Sequence, residues 1–469
     1  MSTLTIKFGG SSVGDSQALT QAAGIVLACA EEWDRVVVVV SAARGVTDSL
    51  MEGALTAATG DGSTYLEIEA DLRRRHYGVV QDLLSPGGES VSLEAMLDGC
   101  LSEFSAFCRS IHVLGEVTPR AMDTIVSAGE RMNAGLLAAL LRRRGARSEA
   151  VDATGLIVTD DSFQKAVPLM EATRARVKEH LAPLLAEGIV PVVTGFIGAT
   201  EGGLTTTLGR GGSDFSAAIL GDCLNSDEVW VCTDVDGVMT ADPRIVPEAR
   251  LIPVLSYGEI AELAYFGAKV LHPRAIRPVV ERGIPLWVKN TFNPSCPGTR
   301  IVREPESSDG SVKAVTAIKD LSMVTVEGRG MMGVPGIAAR TFSAVAGQGA
   351  SVLMISQASS EQSICFVIPT AHVPGVVKAI EGEMVAELRR EDIDRVSSLD
   401  EMVIVTAVGA GLRGTPGVAA RTFGALAQAN INVVAVAQGS SECSISLVIS
   451  AEDAVHAVRQ IHQEVILRG

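Results

Sequence analysis

The sequence has no apolar run near the roughly 20 residues of a membrane-spanning helix. That argues against a chain that crosses a membrane as helices. Aromatic residues make up only 4% of it, so its cores must rest on Val, Ile, Leu and Ala. Positive charge is scarce: 39 Lys and Arg stand against 55 Asp and Glu, a formal net charge of −16. Non-specific binding to nucleic acid or to an anionic membrane is not expected from that balance. An anionic substrate stays open, because a site can be locally basic. The eight cysteines are scattered and form no CxxC pair. They read as reduced core residues of a cytoplasmic protein. No signal-peptide pattern precedes the first strand pattern, at residues 4–8.

What is present is ample apolar material, 47% of 469 residues, a length that fits about three domains. Short β-rich runs at residues 4–8, 35–41, 190–194, 228–233 and 286–290 alternate with helical patterns at 15–30, 128–144, 164–187 and 257–267. This alternation predicts an α/β layer fold with a largely parallel sheet. Residues 62–117 are charged and helix-patterned, and read as a helical excursion from the sheet. Residues 303–311, polar with Pro and Gly, make the best linker.

Beyond the linker the sequence repeats. GVPGIAARTF at 333–342 returns as GTPGVAARTF at 414–423, and ISQASSE at 355–361 as VAQGSSE at 436–442, always 81 residues on. Each copy reads strand, glycine turn, helix, strand, strand, helix, a ferredoxin-like α+β unit short of one strand. Both copies also match GxGxxG, at 328–333 and 409–414. A dinucleotide site wants an acid at the end of the next strand. These strands end in Ser356-Gln357 and Ala437-Gln438, and Pro335 and Pro416 follow the third glycines. A turn that lets a small ligand approach the backbone is the better expectation.

The stretch TGFIGATEGGLTTTLGRGGSDF at 194–215 is the most informative. It reads as a glycine-rich turn between a buried strand and a helix N-terminus, where free N–H groups and a positive dipole end suit an anion. KFGGSSV at 7–13 sets Lys7 beside Gly9 and Gly10, a point charge with bare amides. The P-loop pattern GxxxxGK[ST] is absent. SAARGVTD at 41–48 offers hydroxyls, and TDVDGVMTADPR at 233–244 offers acids and an arginine. Those acids also serve as turn formers and caps. FGAKVLHP at 266–273 adds Lys269 at a helix end. His272 there reads as a packed structural histidine rather than an acid or base. Singly each segment could be only a turn; jointly, at the strand ends of an open α/β sheet, they point to phosphoryl transfer.

With SAGERMN at 127–133 and ELAYFGAKVLHPRAI at 262–276, these segments resemble the aspartate kinase signatures of the amino acid kinase superfamily. The repeats resemble the tandem ACT domains of the same enzymes. The resemblance covers nearly the whole chain, with the motifs in order. It implies a carbamate kinase-like three-layer sandwich over residues 1–302, a linker at 303–311, and ferredoxin-like ACT units at 312–395 and 396–469. Residues 312–318 would then belong to the second unit as a strand. The implied activity is transfer of the γ-phosphoryl of ATP, with Mg2+, to the side-chain carboxylate of L-aspartate. That is the first step toward lysine, threonine and methionine. By the same resemblance Lys7 neutralises the transferring phosphoryl group and Asp214 positions Lys7 in the site. Arg210 grips a substrate carboxylate and Glu130 the ammonium, with Ser41, Thr47 and Ser213 as further substrate contacts. Gly9, Gly10, Thr233, Asp234, Met239, Arg244 and Lys269 would contact the nucleotide. No dedicated protein metal site is implied. Two residues depart from the family pattern: Met239 stands for a frequent tyrosine and Asn133 for a usual serine. Gln357 and Gln438 would contact an amino-acid effector, threonine foremost and lysine as the alternative. ACT pairing would make a homodimer or homotetramer. The rival readings are another amino acid kinase and a catalytically dead sensor; the latter is disfavoured by Lys7, Arg210, Asp214 and Glu130.

Overall fold

The computed structural model describes residues 1–267, 271–304, 311–332, 334–357, 362–438 and 443–468. They divide into two compact units. Unit 1 is Met1–Val238, Pro253–Tyr257 and Val270–Glu304; unit 2 is Met239–Ile252, Gly258–Lys269 and Pro305–Gly469.

The strands of unit 1 are β1 (Thr3–Phe8), β2 (Arg35–Val40), β3 (Ser148–Val151), β4 (Val158–Thr159), β5 (Val190–Thr194), β6 (Ile197–Thr200), β7 (Thr205–Thr207), β8 (Glu228–Thr233), β9 (Val254–Ser256), β10 (Leu286–Asn290) and β11 (Thr299–Val302). Among the described residues eight of them align in the order β3-β5-β2-β1-β8-β10-β11-β9. Every neighbouring pair is parallel except β10–β11. The central strands read as unbroken apolar runs because helices cover both faces: Val36 to Val40 are all buried. The helices are α1 (Ser16–Glu32), α2 (Val46–Ala58), α3 (Thr64–Leu83), α4 (Gly88–Leu114), α5 (Pro119–Val126), α6 (Ala128–Arg143), α7 (Met170–Ala186), α8 (Gly212–Leu224), α9 (Tyr257–Tyr265) and α10 (Pro273–Arg282). Most of α9 belongs to unit 2. Asp15 caps α1 by accepting from Ala18 N at 2.8 Å. The expected excursion over 62–117 is the antiparallel helices α3 and α4.

Two expectations need correction. The helix expected from residue 164 starts at Met170. Pro168 disfavours the helical state just before it and bridges Thr159, while Leu169 N donates to Val158 O at 2.8 Å. The turn expected over 194–215 contains the hairpin β6–β7, which pairs antiparallel and joins β4 in a small second sheet. Its strands are threonine-rich and short, so they carry no apolar period.

In unit 2, β12 (Ala314–Glu327), β13 (Met354–Gln357), β14 (Ser363–Pro369), β15 (Arg395–Val408), β16 (Ala435–Ala437) and β17 (Ser444–Ser450) form one antiparallel sheet, in the order β13-β14-β12-β15-β17-β16. The long β12 serves both repeats. Its residues 314–318 pair with 404–408 of the second, and residues 321–327 pair with β14 of the first. Asp320, at φ 61°, marks the change of register. Helices α11 (Ile337–Gly347), α12 (Val373–Glu383) and α13 (Val385–Arg389) belong to the first repeat, α14 (Val418–Gln428) and α15 (Ala454–Ile461) to the second. The edge strands β13 and β16 lie alongside each other, with Cα atoms within 8 Å. Phe266 packs in the core on that side.

The first glycine of each repeat's turn has a task within the fold. A Cβ on Gly328 would lie 2.2 Å from Asp392 O, and one on Gly409 2.0 Å from Ser311 O. These glycines let the chain cross its own backbone. No described helix is long and apolar enough to cross a membrane.

Candidate active site

At the carboxyl ends of β1 and β2 lies a cavity of about 620 Å3, lined by Lys7, Ser41, Thr47, Glu130, Arg210, Ser213 and Asp214 among others. Lys7 is the penultimate residue of β1, flanked by β2 and β8, and is buried. Its Nζ lies 2.6 Å from Asp214 Oδ1, as an ion pair rather than an aligned hydrogen bond. Asp214 sits in the first turn of α8, where a carboxylate complements the helix dipole. The chain enters α8 through Gly211 at φ 72°, a left-handed conformation that favours glycine. Arg210, just before it, is exposed, and its side chain has no ion pair among the described residues.

Glu130 occupies the first turn of α6 and is buried. The helix runs so close to the β2–α2 loop that a Cβ on Gly129 would sit 2.7 Å from Ala42 Cβ. Ala42 N donates to Glu130 Oε1 at 3.2 Å, and Oε2 is buried without a partner. Burial pushes the carboxyl up to about 8, against the smaller lowering effect of the Ala42 N–H. A cation beside Oε2 would reverse that shift. Asn133, one turn on, donates to Ser41 O at 2.9 Å and fixes the loop that carries Ser41 and leads into α2, where Thr47 sits. Its amide thus has a structural task at this position.

Sequence patterns missed two further residues. Asp123 on α5 is buried and accepts from Gln164 N, Thr207 N and Thr207 Oγ1 at 2.9, 2.9 and 2.8 Å. It ties the segment before α7 to β7, three residues ahead of Arg210. Burial raises its carboxyl above the usual range. Phe196 lines the cavity at φ 67°, a conformation that costs a bulky residue about 1 kcal/mol or more. Ser216 Oγ holds it by accepting from Phe196 N at 2.9 Å. Asp123 stands in no glycine or charge motif, and Phe196 lies within the glycine-rich stretch 194–215 but is neither a glycine nor a charge there. Only the acid at 123, seven residues before Glu130, offered a signal.

Asp123→Ala should strand three donors and destabilise the fold by about 2–4 kcal/mol. Asp123→Asn should destabilise less, yet raise the aspartate KM more than the ATP KM. Urea melts and separate titrations of the two substrates check this. A shift confined to ATP would remove Asp123 from the Arg210 support.

Other expected site residues are placed as follows. Gly9 N donates to Cys232 O at 3.0 Å, and Gly10 O accepts from Arg44 N at 3.1 Å, in the turn after β1. Thr233 ends β8, the strand beside β1, and exposed Asp234 follows, accepting from Thr233 Oγ1 at 3.2 Å. Met239 and Arg244 belong to unit 2. Arg244 is largely exposed and forks onto Asp242. Lys269 lies outside the described residues. Gln357 ends β13 and Gln438 follows β16, both exposed. His272 is half-buried at the start of α10; desolvation lowers its pKa, helped by Arg210 and Arg274. The cysteines are all free.

Compared with known proteins, residues 2–290 match the amino acid kinase family, and residues 324–384 and 405–465 match the ACT domain family. The chain is 34% identical to the chloroplastic aspartokinase 2 of Arabidopsis thaliana, over 98% of this chain and 84% of that protein. The chain belongs to the aspartokinases of the amino acid kinase family. It is also 40% identical to the chloroplastic bifunctional aspartokinase/homoserine dehydrogenase 1 of Arabidopsis thaliana, over 98% of its own length and 51% of the relative's. The chain thus spans about half the length of the bifunctional relatives. Among aspartokinase structures, the E. coli aspartokinase III complex with aspartate and ADP aligns with a TM-score of 0.79 at 29% identity, covering 99% of both chains. The complex of the same enzyme with lysine and aspartate gives 0.80.

Proposed function

We propose that the chain transfers the γ-phosphoryl group of ATP to the side-chain carboxylate of L-aspartate, giving 4-phospho-L-aspartate. The observation that carries this reading is the unpartnered, buried Glu130 Oε2 in one cavity with Lys7 and Arg210. An α-amino acid offers an ammonium to Glu130 and a carboxylate to the Arg210 fork. A carboxylate is already a nucleophile at neutral pH, so the site needs no general base. The obstacle is repulsion between two anions, which Lys7 and the N-terminus of α8 offset as the phosphoryl group moves. The carboxylate oxygen bonds to the γ-phosphorus, the β–γ bridging bond breaks, and ADP leaves. Asp214, 2.6 Å from the Lys7 ammonium, keeps it aimed. Asp234, exposed at the end of β8, is a carboxylate available to Mg2+ arriving on the triphosphate. That metal would neutralise phosphate charge.

Trapping the product with hydroxylamine tests the acceptor. ADP release and hydroxamate should appear together with aspartate, and not with glutamate or N-acetylglutamate. A preference for either of the others would favour a different amino acid kinase.

The same reading makes the chain an entry enzyme for lysine, threonine and methionine, under feedback through its ACT units. Both repeats grip α9. Glu259, buried, accepts from Ala410 N at 2.7 Å and pairs with Lys313 at 3.0 Å. Tyr265 Oη donates to Val352 O and Leu353 O at 3.4 Å. In the sequence His272 follows the end of α9 after six residues. An effector that shifts either repeat therefore has a covalent route to the catalytic unit. Gln357, at the end of β13, and Gln438, just after β16, would read a threonine hydroxyl. Gln357→Ala or Gln438→Ala should raise the threonine concentration for half-inhibition severalfold at unchanged basal rate, a coupling change of ~1 kcal/mol. Indifference of the unaltered chain to threonine, with inhibition by lysine, would replace threonine as the effector. Exposed Ile355 and Val436 on the two edge strands suit pairing between copies, as a homodimer or homotetramer.

A further inference from the structure

A second cavity of about 440 Å3 lies in unit 1 between α7, α8 and α10. Its walls carry six cations, Lys165, Arg174, Arg210, Arg274, Arg277 and Arg282, against two carboxylates, Asp222 and Glu281. This is an unusual surplus in a chain of net charge −16. Buried Asp222 bridges Arg174 at 2.7 Å and Arg282 at 2.5 Å, and Glu281 pairs with Arg277 at 2.7 Å. Lys165, Arg210 and Arg274 are left without a carboxylate among the described residues. Two wall atoms, Arg174 Nε and His272 Nδ1, are buried with no hydrogen-bond partner. Phe215, Ala275 and Pro278 supply an apolar lining.

Unneutralised cations beside an apolar lining define the complement. We infer that this cavity binds a small organic anion, with a phosphate or carboxylate head on an apolar body. Guanidinium forks meet such heads bidentately. The body lies along Phe215 and Pro278. Gly209 and Arg210 line both this cavity and the candidate active site. An occupant therefore draws on the same arginine as aspartate, and weakens aspartate binding. That second consequence rests on the reading of Arg210 above; the binding itself does not.

Phenyl phosphate has this chemistry and fits the volume. It is titrated calorimetrically into the full chain, with ADP present to occupy the turn beside Lys7. The comparison is the double variant Arg274→Gln/Arg277→Gln, whose side chains are exposed, with Arg74→Gln on α3 as control. One site should bind in the unaltered chain and the control, and weaken tenfold or more in the double variant. No binding, or equal binding in all three, overturns the inference. Phenyl phosphate should also raise the aspartate KM of the unaltered chain and leave that of the double variant unmoved. Binding that maps to the cavity without moving the aspartate KM would keep the site and remove the Arg210 link.

Discussion

Lys7→Met lowers kcat by about 10²–10³-fold or more, the loss seen when a preorganised charge at a transition state is removed. The substitution also leaves Asp214 mostly buried beside an apolar side chain, because the pair is only 10% and 13% exposed. Breaking a buried pair from one side destabilises by about 3–5 kcal/mol. Lost activity could then be mistaken for lost fold. The double variant Lys7→Met/Asp214→Asn separates the two. It should regain most of the stability, because no charge is stranded, and none of the activity. A single variant that keeps more than half the kcat would take Lys7 out of the mechanism.

Glu130→Gln raises the aspartate KM by roughly tenfold to a hundredfold, the worth of a charged hydrogen-bonded contact, and leaves the ATP KM nearly unchanged. Its pH signature is sharper still. The free carboxyl titrates at about 8 because burial disfavours its charge, whereas the ammonium needs it ionised. Aspartate binding therefore expels a proton below that pH. The aspartate kcat/KM should climb by up to about tenfold per pH unit towards pH 8 and then level. In Glu130→Gln this climb disappears. Stability moves the other way. A carboxyl raised in the fold contributes stability fully present below about 4.5, its ordinary value, and lost as the pH rises to about 8. At pH 8 the glutamine variant should be the more stable, by roughly 1–4 kcal/mol. A variant that loses both stability and ATP affinity would contradict this assignment.

The sequence carried the central strands because β1, β2 and β5 are runs buried along nearly their whole length, and β8 and β10 bury alternate apolar residues. It hid β4, β6 and β7, which are short and rich in threonine. The glycine and charge motifs pointed to Lys7, Ser41, Thr47, Glu130, Arg210, Ser213 and Asp214, and these share one cavity. The role of Asp123 was hidden because its partner Thr207 is 84 residues away, a closeness that no local pattern encodes. Asn133 looked like a departure from pattern. Its role is a bond to Ser41 O across 92 residues. The passage of residues 239–252 and 258–267 into unit 2 was equally hidden. Their apolar residues look the same whichever core receives them.

The central claim is that a side-chain carboxylate oxygen of aspartate becomes bonded to the transferred phosphorus. Aspartate labelled with ¹⁸O in that carboxylate, incubated with ATP, Mg2+ and hydroxylamine, tests it directly. Hydroxylamine attacks the acyl carbon and expels phosphate together with the oxygen that made the bond. The account predicts phosphate carrying one ¹⁸O, resolved by its ³¹P shift, and formed one for one with ADP. Unlabelled phosphate would mean that water, not aspartate, receives the phosphoryl group, and would contradict it.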